Sequence, residues 1–138
     1  MNAIDHVTGI TEGGSSTTML QWSMALTNNL RNKPEIASVG PIGLGKGGLS
    51  ITGSVQLYFS AVALYEKYLN FTETDTTITF QDADGNSYVV NIPAIKFTNG
   101  RVVAGGKNQD VVANLDWTAK MDDSDTDKMI RITRSAGS

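Results

Sequence analysis

The chain has no cysteine, which excludes disulfide frameworks, thiolate metal sites and cysteine nucleophiles. Histidine occurs once, at His6, so histidine-based triads and multi-histidine metal centres are excluded too. No run approaches the ~18 apolar residues of a membrane span. The first ten residues carry Asp5 and His6 where a signal segment would be basic and then apolar, so synthesis and folding in a cytosol and no membrane association are expected. An excess of positive charge is also missing: the net charge is −3, which offers no basic face for a sequence-independent grip on nucleic acid. What remains is 138 residues, 40% of them hydrophobic, enough for one domain with a real core. Gly13, Gly14, Ser15 and Ser16 lie in a stretch without periodicity, so the expected division is a flexible arm over 1–17 and a single β domain over 18–138.

The most informative stretch is Leu49 to Leu69. Leu49, Ile51, Gly53, Val55, Leu57 and Phe59 alternate with Ser50, Thr52, Ser54, Gln56 and Tyr58, the pattern of a long strand with one buried face. From Ala61 the apolar residues Val62, Leu64, Tyr65, Tyr68 and Leu69 fall on one stripe only at ~3.6 residues per turn, with Ser60 as N-cap and Asn70 as the C-terminal stop. So short a helix is unstable alone in water and must be docked.

Around this stretch the chain reads as strands and turns. Leu20, Trp22, Met24 and Leu26 alternate with polar residues, and Asn28 to Pro34 break that strand. Asp84-Gly85 joins Thr77–Phe80 to Tyr88–Ile92 as a hairpin, Pro93 marks an edge or bulge, and Asn99-Gly100 predicts another tight turn. A strand with Val111, Ala113, Leu115, Trp117, Ala119 and Met121 inward follows, then an acidic turn and a closing strand over 129–133. About eight strands at hairpin spacing and one helix define a mainly β fold, a sandwich or barrel with one flanking α-helix.

Three constellations resemble chemical motifs and fall short of them. Gly40 to Lys46 fits the first seven positions of a phosphate-binding loop, but Gly47 replaces the metal-binding hydroxyl, Pro41 removes a backbone donor, and a strand follows where a helix should. Asp123, Asp125 and Asp127 open like a calcium loop, yet Lys128 and Arg134 stand where glycine and glutamate are needed. Asp110 and Asp116 share one side of a strand, with no cleft implied between them for glycoside hydrolysis. No cofactor, metal or catalytic residue is assigned, and a non-enzymatic role is expected.

Two features point toward assembly. Ser50, Thr52, Ser54 and Gln56 carry no charge, although exposed strands commonly use charge against edge pairing; this reads as a sheet continued across subunits, or as an ordinary Ser/Thr-rich strand. Gly43, Leu44, Gly45, Lys46 and Gly47 form a loop too glycine-rich for a core element and too apolar for a linker, which suits a loop meeting a partner, or a flexible unpartnered hairpin.

Taken in order, the Asn28–Pro34 break, the glycine-rich loop, the Leu49–Leu69 segment ending its strand in Leu57-Tyr58-Phe59, the Asp84–Tyr88 hairpin and Ala104–Val111 resemble the tail tube (major tail) proteins of long-tailed bacteriophages, over roughly Ser23 to Thr133. Similar proteins are often about twice this length, and the resemblance is to their C-terminal part. It implies a β-sandwich with a flanking helix, homo-oligomeric hexameric or pseudo-hexameric rings stacked into a tube, contacts with other phage tail proteins, and double-stranded DNA passing without specific binding. It also implies location in the virion tail after synthesis in the host bacterial cytoplasm. On this resemblance Ser50, Thr52, Ser54 and Gln56 face the lumen or the subunit seam, and Gly43 to Gly47 belong to a ring-stacking loop. A tail terminator, a baseplate ring or a secretion-system tube protein is the neighbouring alternative; a calcium- or carbohydrate-binding β-sandwich is the distant one.

Overall fold

The computed structural model describes residues 7–34, 36, 39–40, 42–59, 62–121 and 128–137. In chain order the strands are β1 (Val7–Glu12), β2 (Ser15–Ser16), β3 (Gln21–Thr27), β4 (Arg31–Lys33), β5 (Gly43–Gly45), β6 (Ser50–Tyr58), β7 (Thr74–Gln81), β8 (Ser87–Ala104), β9 (Val111–Ala119) and β10 (Arg131–Ser135), with α1 (Val62–Leu69) between β6 and β7. Eight of them form one sheet in the order β2-β1-β7-β8-β9-β6-β3, with β10 against the first half of β8, while β4 and β5 pair apart as a two-stranded hairpin. The sheet curls without closing. Residues of β1 and β3 line the two sides of a cleft, and no ladder joins these strands among the described residues.

The alternation in β6 is realised as read: Ile51, Val55 and Leu57 are buried, and they pack with Phe97, Leu115 and Trp117 from the neighbouring strands and Leu64 from α1. Trp117, only 2% exposed, stacks on Trp22 with ring centroids 5.6 Å apart. Gly53 makes this possible, because a Cβ there would stand 2.0 Å from the Ser23 carbonyl oxygen and 2.4 Å from the Trp117 ring. The sheet therefore bends around a stacked indole pair.

Two readings change. Asn99-Gly100 is not a turn; β8 runs unbroken from Ser87 to Ala104, with a bulge between Phe97 and Asn99. The Asn99 side chain instead donates across the ladder to Asp116 at 3.0 Å. Gly100 leaves room for the helix, since a Cβ would lie 2.7 Å from the Tyr68 ring. Pro93 does sit at an irregularity, where the β7 register shifts between Thr74 and Thr76. The second change concerns the arm: of residues 1–17, Val7–Glu12 and Ser15–Ser16 are strands, β1 pairing with β7 along its length. Glu12 is buried there with Lys67 of α1 donating to its carboxylate at 2.7 Å, while Lys67 also donates to Thr74 at 3.2 Å. Residues 1–6 lie outside the described residues, as do Ser60 and the acidic turn at 122–127.

The helix ends at Leu69, before Asn70 as read, but the left-handed closing residue is Phe71 and not Asn70. Phe71 takes the left-handed conformation (φ 51°), with Thr72 N–H donating to Lys67 C=O and Phe71 N–H to Tyr68 C=O. This is the Schellman closure that glycine usually provides.

Candidate assembly site: two free edges and one polar face

Four stretches, the second half of β8, then β9, β6 and β3, form a regular antiparallel unit. Its two outer edges carry no strand among the described residues. On one side β3 pairs only with β6; on the other, β7 leaves β8 at Ile95, so residues 96–104 have β9 alone. Edges this long, without an internal partner, are templates for further pairing. The β3 edge has none of the usual protection, since Gln21–Thr27 contains no charge and no proline.

The face of this unit opposite Trp117 is polar. Register places Ser23 beside Ser54, Ser54 beside Asp116 and Asp116 beside Asn99, giving one row across all four strands. Ser23 and Ser54 hydroxyls lie 2.8 Å apart, and Asn99 donates to Asp116. Parallel rows run Ala25, Thr52, Thr118, Lys96 and Gln21, Gln56, Asn114, Arg101. Thus Thr52, Ser54 and Gln56 share a face as the alternation requires, and Ser50 continues it opposite Thr27. Because β6 is paired on both sides, these residues decorate a surface and not a hydrogen-bonding edge. Charge is confined to Asp116, Lys96 and Arg101, and Lys96 pairs with Glu73 at 3.0 Å. Lys120 also bonds Glu73, and these two contacts, Lys120 first, hold the Glu73 carboxyl below the usual range.

Gly43, Leu44 and Gly45 form β5, and Lys46 and Gly47 follow on the way back to β6. The base of this hairpin is tied by Asn29, which donates to Gly48 C=O at 2.8 Å. β5 is a strand with no helix after it, which disposes of the phosphate-loop geometry. Asp82 accepts hydrogen bonds from the backbone of Asp84 and Asn86 and so closes a turn, as Gly85 suggested. Asp116 lies five strand positions beyond Val111, so Asp110 is on the order of 20 Å from it, well past the ~6.5–9.5 Å of paired glycosidase carboxylates. No cluster of three or more metal-ligating side chains occurs among the described residues. No described helix is long and apolar enough to cross a membrane.

The free edges were invisible in the sequence because an edge is a property of pairing. The only local trace was the absence of charge in 21–27.

An open curled sheet with two complementary free edges, a flanking helix and a detached hairpin has the architecture of a tube-building subunit. The family model described as phage tail tube protein matches residues 1–119, and the chain belongs to that family. It is a structural subunit of the phage tail tube, located in the virion tail. Among solved structures, the sheath/tube terminator of an extracellular contractile injection system superposes with TM-score 0.68 at 13% identity, covering 99% of this chain and 96% of that one. The anti-feeding prophage baseplate, six-fold symmetrised, gives 0.65 at 8% identity over 96% of each chain. The SPP1 tail tube gives 0.62 at 12% identity, covering 93% and 77%. These likenesses establish the shared fold. A comparison with curated protein sequences finds no match.

Proposed function

We propose that copies of this chain close into a ring by pairing the β3 edge of one copy with residues 96–104 of the next, and that the rings stack into the tail tube. The observation that carries this is the pair of unpartnered edges on a single four-stranded unit. Strand parity supports it. With four strands alternating in direction, β3 and β8 run oppositely, so a rotation axis along the strands brings β3 against the next copy's β8 in antiparallel register. An odd number would give a parallel seam. We take the ring to be hexameric or pseudo-hexameric, in keeping with the six-fold symmetry given for the similar baseplate.

Continued round the ring, the polar face becomes the wall of the bore. Ser50, Thr52, Ser54 and Gln56 then face passing double-stranded DNA without holding it, since a lumenal cation adds affinity through counterion release. Of the two cations of the face, Lys96 is paired with Glu73, and Asp116 adds one negative charge to the row beside Arg101. Thr52→Lys tests this placement: tubes should assemble, and DNA ejection should slow with a salt dependence absent from the natural protein. Unchanged ejection from normal tubes would remove these residues from the bore.

A terminator ring is the second reading, favoured by the likeness to a sheath/tube terminator of nearly equal extent. Negative-stain microscopy over a concentration series separates the two, since a tube subunit extends into filaments and a terminator stops at one ring.

A further inference from the structure

Phe71 closes α1 at φ 51°, a left-handed conformation disfavoured for any residue with a Cβ and uncommon for a bulky one. Asparagine, which tolerates that region, stands one position earlier, at Asn70. Backbone strain of this kind persists where another interaction offsets it. Within the subunit Phe71 finds no such interaction among the described residues: it is 66% exposed and takes no part in the hydrophobic core. Leu69 beside it is exposed as well. Three neighbours fix where this turn runs. The Tyr68 ring covers Gly100, Glu73 bonds Lys96, and Thr74 pairs with Ile95. The turn between Tyr68 and Thr74 therefore passes beside residues 95–100 of β8, at the start of the edge that β7 vacates.

The opposite edge of the same four-stranded unit carries a matching surface. On β3, Trp22 is stacked on Trp117, but Met24 and Leu26 on the same face are 36% and 47% exposed, because α1 packs against β8 at the other side of the unit. Resting on the ring proposed above, we infer that Leu69 and Phe71 of one copy dock on Met24 and Leu26 of the next, so that the end of the helix covers the back of the seam. The levels of the residues agree. Within one copy, register places Ala25 level with Lys96 and Ser23 level with Asn99. A rotation axis along the strands preserves these levels, so the next copy's Met24 arrives beside residues 96–99, where the turn runs. The contact joins an aromatic ring to a thioether and a branched aliphatic side chain, with no charge to desolvate. Its two halves lie at the two edges of one unit, so closing the ring covers every copy of both, while an open arc leaves one of each bare.

Phe71→Gly separates this contact from a role inside the subunit, because glycine takes the left-handed conformation freely. The isolated F71G subunit should unfold at the same urea concentration as the natural one or at a higher one. Rings should nevertheless need at least about tenfold more protein to form, as after loss of an interfacial aromatic anchor. A less stable F71G subunit would overturn the inference, by giving Phe71 to the subunit's own packing. Ring formation by F71G at the natural concentration would overturn it and leave the tube reading intact, whereas natural protein that forms neither rings nor tubes at any concentration would overturn both. The absence of native cysteine allows a direct second readout in a Leu26→Cys, Phe71→Cys double variant. Three strand spacings of ~4.8 Å separate the two edges within one copy, beyond the ~7 Å Cα limit of a disulfide, so oxidation links only different copies. Assembled protein should give a covalent ladder that ends at one ring, and a mixture of the two single variants should give linked pairs only. Normal rings without linked chains would overturn the inference, and so would a ladder running past one ring, by moving the contact to the stacking surface.

Discussion

The unit around β6 and the β4–β5 hairpin are adjacent in sequence and opposite in construction. In the first, strand alternation delivers Ile51, Val55 and Leu57 to a shared core with Trp117 and Phe97. In the second, three-residue strands pair with one another and leave Leu30, Ile42 and Leu44 in solvent. The contrast separates two uses of apolar residues in one chain. Those in β6 stabilise the subunit, and those in the hairpin, exposed as they are, add little to its core. Substitutions should divide the same way.

The largest effect is expected at the indole pair. Trp117→Ala should destabilise the isolated subunit by about 3–5 kcal/mol in urea unfolding, the usual cost of truncating a buried aromatic. A loss as small as that of a surface change would mean that the core is centred elsewhere. Next, Gly53→Ala forces a methyl group into the Ser23 carbonyl and the Trp117 ring, so β3 must shift. Overpacking of this kind costs about 1–3 kcal/mol, and ring formation should weaken in parallel if the proposed seam runs along β3. The Lys67–Glu12 contact comes third. Lys67→Met leaves a buried carboxylate without its cation, and since Lys67 is partly exposed the loss should be about 2 kcal/mol, below that of a fully buried pair. Native-state hydrogen exchange should locate the loosening in β1. By contrast, Leu44→Asp should change subunit stability by no more than about 0.5 kcal/mol, as an exposed site does. A large stability loss in L44D would erase the distinction between the two regions.

The smallest effect is electrostatic. Lys120 and Lys96 lower the pKa of Glu73, so this carboxylate contributes stability above its unfolded pKa of ~4.3, and the contribution fades as pH falls through its lower folded value. Glu73→Gln should remove this small contribution at neutral pH, leave stability below the folded pKa unchanged, and so flatten the profile across that window. Added salt should have the same effect, as these side chains are exposed.

The sequence was most readable where one face of a strand meets the core. The alternation in 50–58, the helix that follows and the Asp84-Gly85 hairpin are local patterns, and each is formed as read. Asn99-Gly100 misled because the same dipeptide that suits a hairpin turn serves here for a cross-strand amide and a close helix contact. The strand at Val7–Glu12 was hidden because Glu12 looks solvent-facing until Lys67, 55 residues later in the chain, is brought to it. Of the polar face, the uncharged row on β6 was legible. Its neighbours Ser23, Asp116 and Asn99 were not, since register between distant strands decides which side chains share a row.

Backbone hydrogen exchange at the two edges, compared between isolated subunits and assembled tubes, addresses completion of the sheet by neighbouring copies most directly. In the isolated chain the outward-pointing amides of Gln21–Thr27 and of residues 96–104 have no ladder partner among the described residues and should exchange fast, alternating with slow inward ones. On assembly both sets should slow together. Assembled tubes in which either edge keeps its fast-exchanging amides would contradict the account.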